Sequence, residues 1–170
     1  LYLSTMMIPI TVRLIPSYNL CRNLNMLDTY MGMILPQVAW SIPFGTFLMR
    51  QFYMGIPKQL DEAAKIDGAS HFQIFWKILL PNTKSSMTTL GIYTFISAWN
   101  NLIWMLLSVR SESKWTVTLG ISSICGASVI KQPTWNLIMG VIVIGMIPVL
   151  ILFFAFQKYF MQSVAATGIK

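Results

Sequence analysis

Long stretches with no ionisable side chain alternate with short charged ones. Met87 to Val109 is 23 residues without a charge and Leu137 to Phe156 is another 20. Each is enough to cross a hydrocarbon layer of about 30 Å as a helix rising about 1.5 Å per residue. Tyr30 to Met49 is a third uncharged run, but it holds Pro36, Pro43 and Gln37. That spacing predicts a kinked helix whose freed carbonyls are satisfied by neighbouring helices or water. Leu1 to Val12 is apolar from its first residue, which is not Met, so the numbered chain is expected to be a fragment beginning within or just before a further span. Nothing there has the basic n-region or small-residue cleavage site of a signal peptide. Spans are therefore predicted near residues 1–20, 30–49, 87–109 and 137–156.

Composition supports the same class. The chain is 55% hydrophobic and only 10% charged, the profile of an all-α integral membrane protein whose solvent is largely lipid. Parity of the spans puts the Gln51 to Ser86 loop and the C-terminal tail on one side. Arg50, Lys58, Lys65, Lys77, Lys84, Lys158 and Lys170 lie there, against Arg22, Arg110, Lys114 and Lys131 opposite. This bias makes the loop and tail cytoplasmic, and it accounts for the +7 charge without nucleic acid, for which no basic stripe with stacking aromatics exists outside the spans. Arg13 is left within or at the end of the first run. Cys21 and Cys125 both fall on the outer side, as free thiols or as a disulfide, and neither has a metal-ligand spacing.

The charged island between the second and third spans, the loop 53–84, reads as helix, elbow, helix. Pro57 suits a first turn, Asp61 and Glu62 lie toward the positive N-terminal end, and Lys65 follows Asp61 by four residues for an ion pair. Gly68 stops that helix as a C-cap glycine does. Ser70 and Gln73 form a capping-box pattern that starts a second helix, with Phe72, Phe75, Trp76 and Leu79 on one face until Pro81 follows. Ala63 and Ala64 leave one side shallow, and Glu62 offers a charge to an arginine on an approaching surface. On spacing alone the segment is either a handle for a soluble partner or an amphipathic loop lying on the membrane.

Within the third span, Thr89, Tyr93, Ser97, Asn100 and Trp104 recur at helical spacing and are predicted to share one face. Polar atoms at that depth should not meet lipid. They either line a solute pathway, with Tyr93, Ser97 and Asn100 as its candidates, or bond to neighbouring helices. Trp99, Trp115 and Trp135 are expected as interfacial anchors, and the twelve methionines as adaptable packing rather than a metal site. No catalytic or metal motif occurs: His71 stands alone beside the elbow, and no Gly-x-x-x-x-Gly-Lys-Ser/Thr loop is present to cradle ATP phosphates. A proton-coupled carrier would place carboxylates or histidines inside the membrane, whereas Asp28, Asp61, Glu62, Asp67 and Glu112 all lie outside the uncharged runs. Nothing in the residues recommends an intramembrane enzyme.

Glu62-Ala63-Ala64, Gly68, Ile78 and Leu80-Pro81 resemble the glutamate-alanine-alanine loop of inner-membrane permease subunits of ABC importers, and Leu60 to Pro81 as a whole is similar to the carbohydrate branch. The resemblance runs on through Leu1 to Asn25, Thr46 to Tyr53, Phe95 to Leu107 and Gln157 to Lys170. Asn101 and Ser163 depart from the branch's usual residues.

That resemblance implies a type I importer permease (MetI-like) helical bundle with about four of six spans present, the first two missing. It implies docking of Glu62, Ala63, Ala64, Asp67, Gly68 and Ala69 in a cleft of a cytoplasmic ATPase. It also implies a second permease as heterodimer partner, two ATPase subunits using ATP and magnesium, and an external solute-binding protein. The solute would be a sugar or oligosaccharide, with polyols or glycerol phosphates as the alternative. The outer segment 108–133 would contact the binding protein, or it rests on the membrane surface. No cofactor is expected on this chain itself.

Overall fold

The computed structural model describes residues 2–130 and 135–168, with side chains for residues 4–126 and 135–157. Lys131 and Pro133 of the outer segment and Lys170 of the tail lie outside the described residues, and the side chains of Lys158 and Ser163 are likewise not described. Every regular element among the described residues is helical.

The first apolar run is two helices rather than one. α1 (Tyr2–Met6) stops before Pro9, which stands at the N-cap of α2 (Ile10–Asn23) with φ −56°. Proline has no N–H to continue a helix from the preceding turn and disfavours helical backbone in the residue before it. After a tight turn, α3 (Tyr30–Met54) runs unbroken through Pro36 and Pro43. Its Thr29 cap accepts from Gly32 N at 3.1 Å. Pro36 leaves the Gly32 carbonyl without its partner four residues on, and the indole Nε1 of Trp104 donates to that oxygen at 3.0 Å. The freed carbonyl is thus satisfied by a neighbouring helix, as expected.

The elbow follows as α4 (Lys58–Ile66) and α5 (His71–Ile74). A π-helical turn at Phe75–Leu79 and a short α6 (Leu80–Asn82) carry the chain past Pro81. Pro81 therefore does not end this helix. The widened turn just before it relieves the crowding a proline ring imposes on the preceding turn, with Leu80 N donating to Phe75 O.

α7 (Lys84–Trp99) and α8 (Leu102–Ser108) divide the run expected as a span at 87–109, and they are bent by 53° at the break. Asn100 closes α7 and Asn101 caps α8, its side chain accepting from Trp104 N at 3.3 Å. Asparagine side chains offer the backbone local bonds that compete with a helix interior.

A 3-10 turn (Glu112–Lys114) leads to α9 (Val117–Ile130) and the long α10 (Trp135–Gly168), which extends past the 137–156 run. α3 and the Trp135–Gln157 part of α10 are long and apolar enough to cross a membrane, and the bent α7–α8 pair is a third such span if counted as one.

α10 packs along α7 and α9, α7 lies against α3, and α8 contacts α2, α3 and α9. The core sits where α2, α3 and α8 meet, built from Leu14, Cys21, Met33, Trp104, Met105 and Val109, with Leu119 from α9. Both Cys21 and Cys125 are free thiols. Trp99 ties helices together: its Nε1 donates to Gly145 O at 3.3 Å and its carbonyl accepts from Thr118 Oγ1 at 2.5 Å.

Candidate functional site

Two regions hold the residues singled out by the sequence, at different levels of the bundle. The first is the elbow. Its α4 ends in a complete Schellman arrangement: Gly68 N donates to Lys65 O and Ala69 N to Ala64 O, both at 3.0 Å. Gly68 supplies the required left-handed backbone at φ +77°. The next helix starts with both bonds of a capping box, Ser70 N to Gln73 Oε1 at 2.8 Å and Gln73 N to Ser70 Oγ at 3.3 Å. Lys65 pairs with Asp61 at 2.6 Å. All these bonds are local, so the bend between α4 and α5 is fixed by its own backbone.

Glu62, Ala63, Asp67 and Gly68 are exposed on this elbow, Ala69 is half-buried, and Ala64 is buried. Beside them Ile66 is 86% exposed and Phe72 72% exposed. A large apolar residue so open next to a carboxylate pair marks a surface that fits a partner better than water. Ile66 was not among the residues picked from sequence, although its place between Lys65 and Asp67 made it the one branched apolar side chain among charges.

The second region is a cavity of about 670 Å³ between α2, α3 and α7. Tyr93, Ser97 and Asn100 form one wall. Thr89 and Trp104, expected on the same face, do not reach it. Thr89 Oγ1 bonds back to Ser85 O at 3.0 Å within its own helix, and Trp104 is turned into the core by the bend after Asn100. Tyr93 packs on Phe44 with ring centroids 4.5 Å apart. The facing wall carries Arg13, Gln37, Trp40 and Ser41, none of which was chosen from sequence. Arg13 was nonetheless legible there as the lone charge beside an apolar run.

Elbow and cavity are joined by α7, whose first residue, Lys84, lies nine residues before Tyr93, or about 14 Å along the axis.

At the far end of α3 from the elbow, a charged latch closes the bundle. Asp28, at φ +56°, accepts from the backbone N–H groups of Arg110 and Ser111, both at 3.0 Å, and from the Ser111 hydroxyl. Lys114 donates to the Asp28 carbonyl and its ammonium lies 3.6 Å from the carboxylate. The Ser111 hydroxyl bond, then the backbone N–H groups and the Lys114 charge, hold the Asp28 carboxyl well below the usual carboxylate range.

Comparison with known proteins places this architecture. Residues 1–166 match the family described as binding-protein-dependent transport system inner membrane component. The chain is 39% identical over 160 residues to the sn-glycerol-3-phosphate transport system permease protein UgpE of Yersinia enterocolitica, covering 94% of this chain and 56% of that protein. It is 32% identical over 170 residues to the arabinooligosaccharides transport system permease protein AraQ of Bacillus subtilis, covering 100% of this chain and 59% of that one. The chain thus spans rather more than half the length of these relatives. A solved bacterial ABC transporter involved in the import of the acidic polysaccharide alginate has a chain that superposes with a TM-score of 0.70 at 28% identity, over 86% of this chain and 55% of its own.

Proposed function

The chain belongs to the family of binding-protein-dependent transport system inner membrane components, and from that premise we propose that it is a permease subunit of an ABC importer, carrying a sugar or oligosaccharide across the bacterial cytoplasmic membrane. The observation that carries the proposal is the elbow: a bend stiffened by its own hydrogen bonds, presenting Glu62, Ile66, Asp67 and Phe72 to the outside. A stiff lever transmits displacement, whereas a loop without internal bonds would dissipate it.

In this reading Glu62, Ala63, Ala64, Asp67, Gly68 and Ala69 dock in a cytoplasmic ATPase subunit. Closure of two such subunits around ATP and magnesium moves the elbow and, through α7, the cavity wall at Tyr93, Ser97 and Asn100. A second permease completes the pathway, and an external solute-binding protein delivers the solute to the end where Asp28 lies. The loop 53–84 and the C-terminus are then cytoplasmic, in keeping with Arg50, Lys58, Lys65, Lys77 and Lys84 around the elbow. A polyol or glycerol phosphate is the second reading of the solute, favoured by the similarity to UgpE.

The test is a reconstituted complex carrying Glu62→Arg. Transport and solute-stimulated ATP hydrolysis are expected to fail while membrane insertion is unchanged. Normal coupling in that variant, or labelling of a cysteine at position 67 from the exterior in intact cells, would overturn the assignment.

A further inference from the structure

The cavity holds a charge that no protein group in it answers. Arg13 lies ten residues before the end of α2, and the Trp40 ring beside it lies ten residues after the start of α3. Both counts put it about 15 Å along the helix axes from the Asp28 end. A guanidinium half-buried between apolar helices is costly and persists where it has a partner or a function. Its Cζ lies 6.0 Å from the Trp40 ring centroid, a cation–π contact that holds the plane in place but leaves the charge uncompensated. Its Nε is buried and has no hydrogen-bond partner among the described residues. Among the described residues no aspartate or glutamate lines the cavity. The acidic groups with partners spend them elsewhere, Asp28 on Lys114 and Asp61 on Lys65.

Resting on the permease reading above, we propose that Arg13 recognises an oxyanion on the transported solute, so that the cargo is an acidic sugar or polyol bearing a carboxylate or a phosphate. A guanidinium presents paired N–H donors in one plane, which match either group. Tyr93, Ser97 and Asn100 around it supply the amide and hydroxyls that sugar hydroxyls require, while Gln37 and Ser41 donate within α3 and offer only their oxygens, and Tyr93 and Trp40 give the ring faces against which C–H surfaces pack. A neutral sugar would satisfy the second set and leave Arg13 unanswered.

The test uses proteoliposomes holding the full assembly of both permeases, ATPases and binding protein, and measures ATP-dependent uptake of sn-glycerol 3-phosphate, digalacturonate and neutral arabinobiose. At least one anion is expected to be carried, the better one telling phosphate from carboxylate. Arg13→Gln should raise its KM by about tenfold or more, the effect of one charge-assisted contact. Arg13→Lys should recover part of that loss, and Arg13→Gln should impair uptake of the anion more than uptake of arabinobiose. Co-purification of the ATPase with Arg13→Gln verifies assembly. Uptake of arabinobiose alone by the wild type, or an equal loss for all probes in Arg13→Gln, would overturn the inference, the latter pointing to a carboxylate of the partner permease as the true companion of Arg13. Carriage of none of the three would overturn this inference and leave the transport reading to the Glu62→Arg test.

Discussion

The Trp104 indole Nε1 donates to the Gly32 carbonyl at 3.0 Å, the very oxygen that Pro36 leaves without a helical partner. Trp104 has no exposed surface and meets Trp40 edge-on with centroids 5.2 Å apart. One side chain thereby completes α3, fixes α8 against it, and buttresses the ring on which Arg13 rests.

Trp104→Phe removes the indole N–H and part of the ring at a fully buried site, and the unpaired carbonyl alone should cost about 1–3 kcal/mol in a thermal or denaturant titration of the purified protein, with a cavity cost added. In a Pro36→Ala background the helix regains an N–H for Gly32 O, so the same change should cost distinctly less. Equal costs in the two backgrounds would show that the bond does not compensate the proline.

Gly32 is held to glycine by contact rather than by conformation. A Cβ there would lie 2.0 Å from the Met26 carbonyl oxygen, which is backbone and cannot turn away. Gly32→Ala should therefore destabilise by at least roughly 1–3 kcal/mol, the range for overpacking. Gly91→Ala, mid-helix where a Cβ meets nothing within 4 Å, should hold or raise the melting temperature and serves as the control.

Asp28 has its carboxyl held below the ordinary range, chiefly by the Ser111 hydroxyl. A depressed folded value means the latch stabilises fully above the unfolded carboxylate pKa of about 3.9 and weakens as pH falls below it toward the folded value. The melting difference between wild type and Asp28→Asn should be flat from neutral pH to about 5 and shrink in stronger acid. A difference that grows on acidification would contradict the latch.

Gly68 carries φ +77° and donates its N–H to Lys65 O at 3.0 Å. Asparagine tolerates left-handed backbone, so Gly68→Asn should retain most transport, while Gly68→Ala strains the elbow by about 1 kcal/mol. Gly68→Pro forbids the angle and removes the donor, and should abolish coupling of ATP hydrolysis to uptake with the protein still inserted. Transport that is indifferent to this series would show that the elbow's shape is not used.

Much of the helical architecture was readable along the chain, because lipid admits few backbone solutions and a run without charge therefore specifies a helix. The elbow was readable in detail for a similar reason. Gly68, Ser70 and Gln73 act through bonds to neighbours within a few residues, so sequence order alone supplies their geometry. What neighbours decide at a distance was not readable. The stripe from Thr89 to Trp104 was divided by the bend at Asn100 and Asn101, where the Asn101 side chain accepts from Trp104 N and the indole turns to Gly32 on α3. The facing wall of the cavity, with Arg13 and Trp40, exists only because α3 packs against α7 and α8 while α2 packs against α8. Where the apolar helical runs fall and where the elbow bends can thus be read along the chain, since those rest on local bonds and on the solvent. Which side chains share a cavity and which carbonyls a neighbour must satisfy emerge from the packed bundle, since those depend on contacts between segments far apart in the chain.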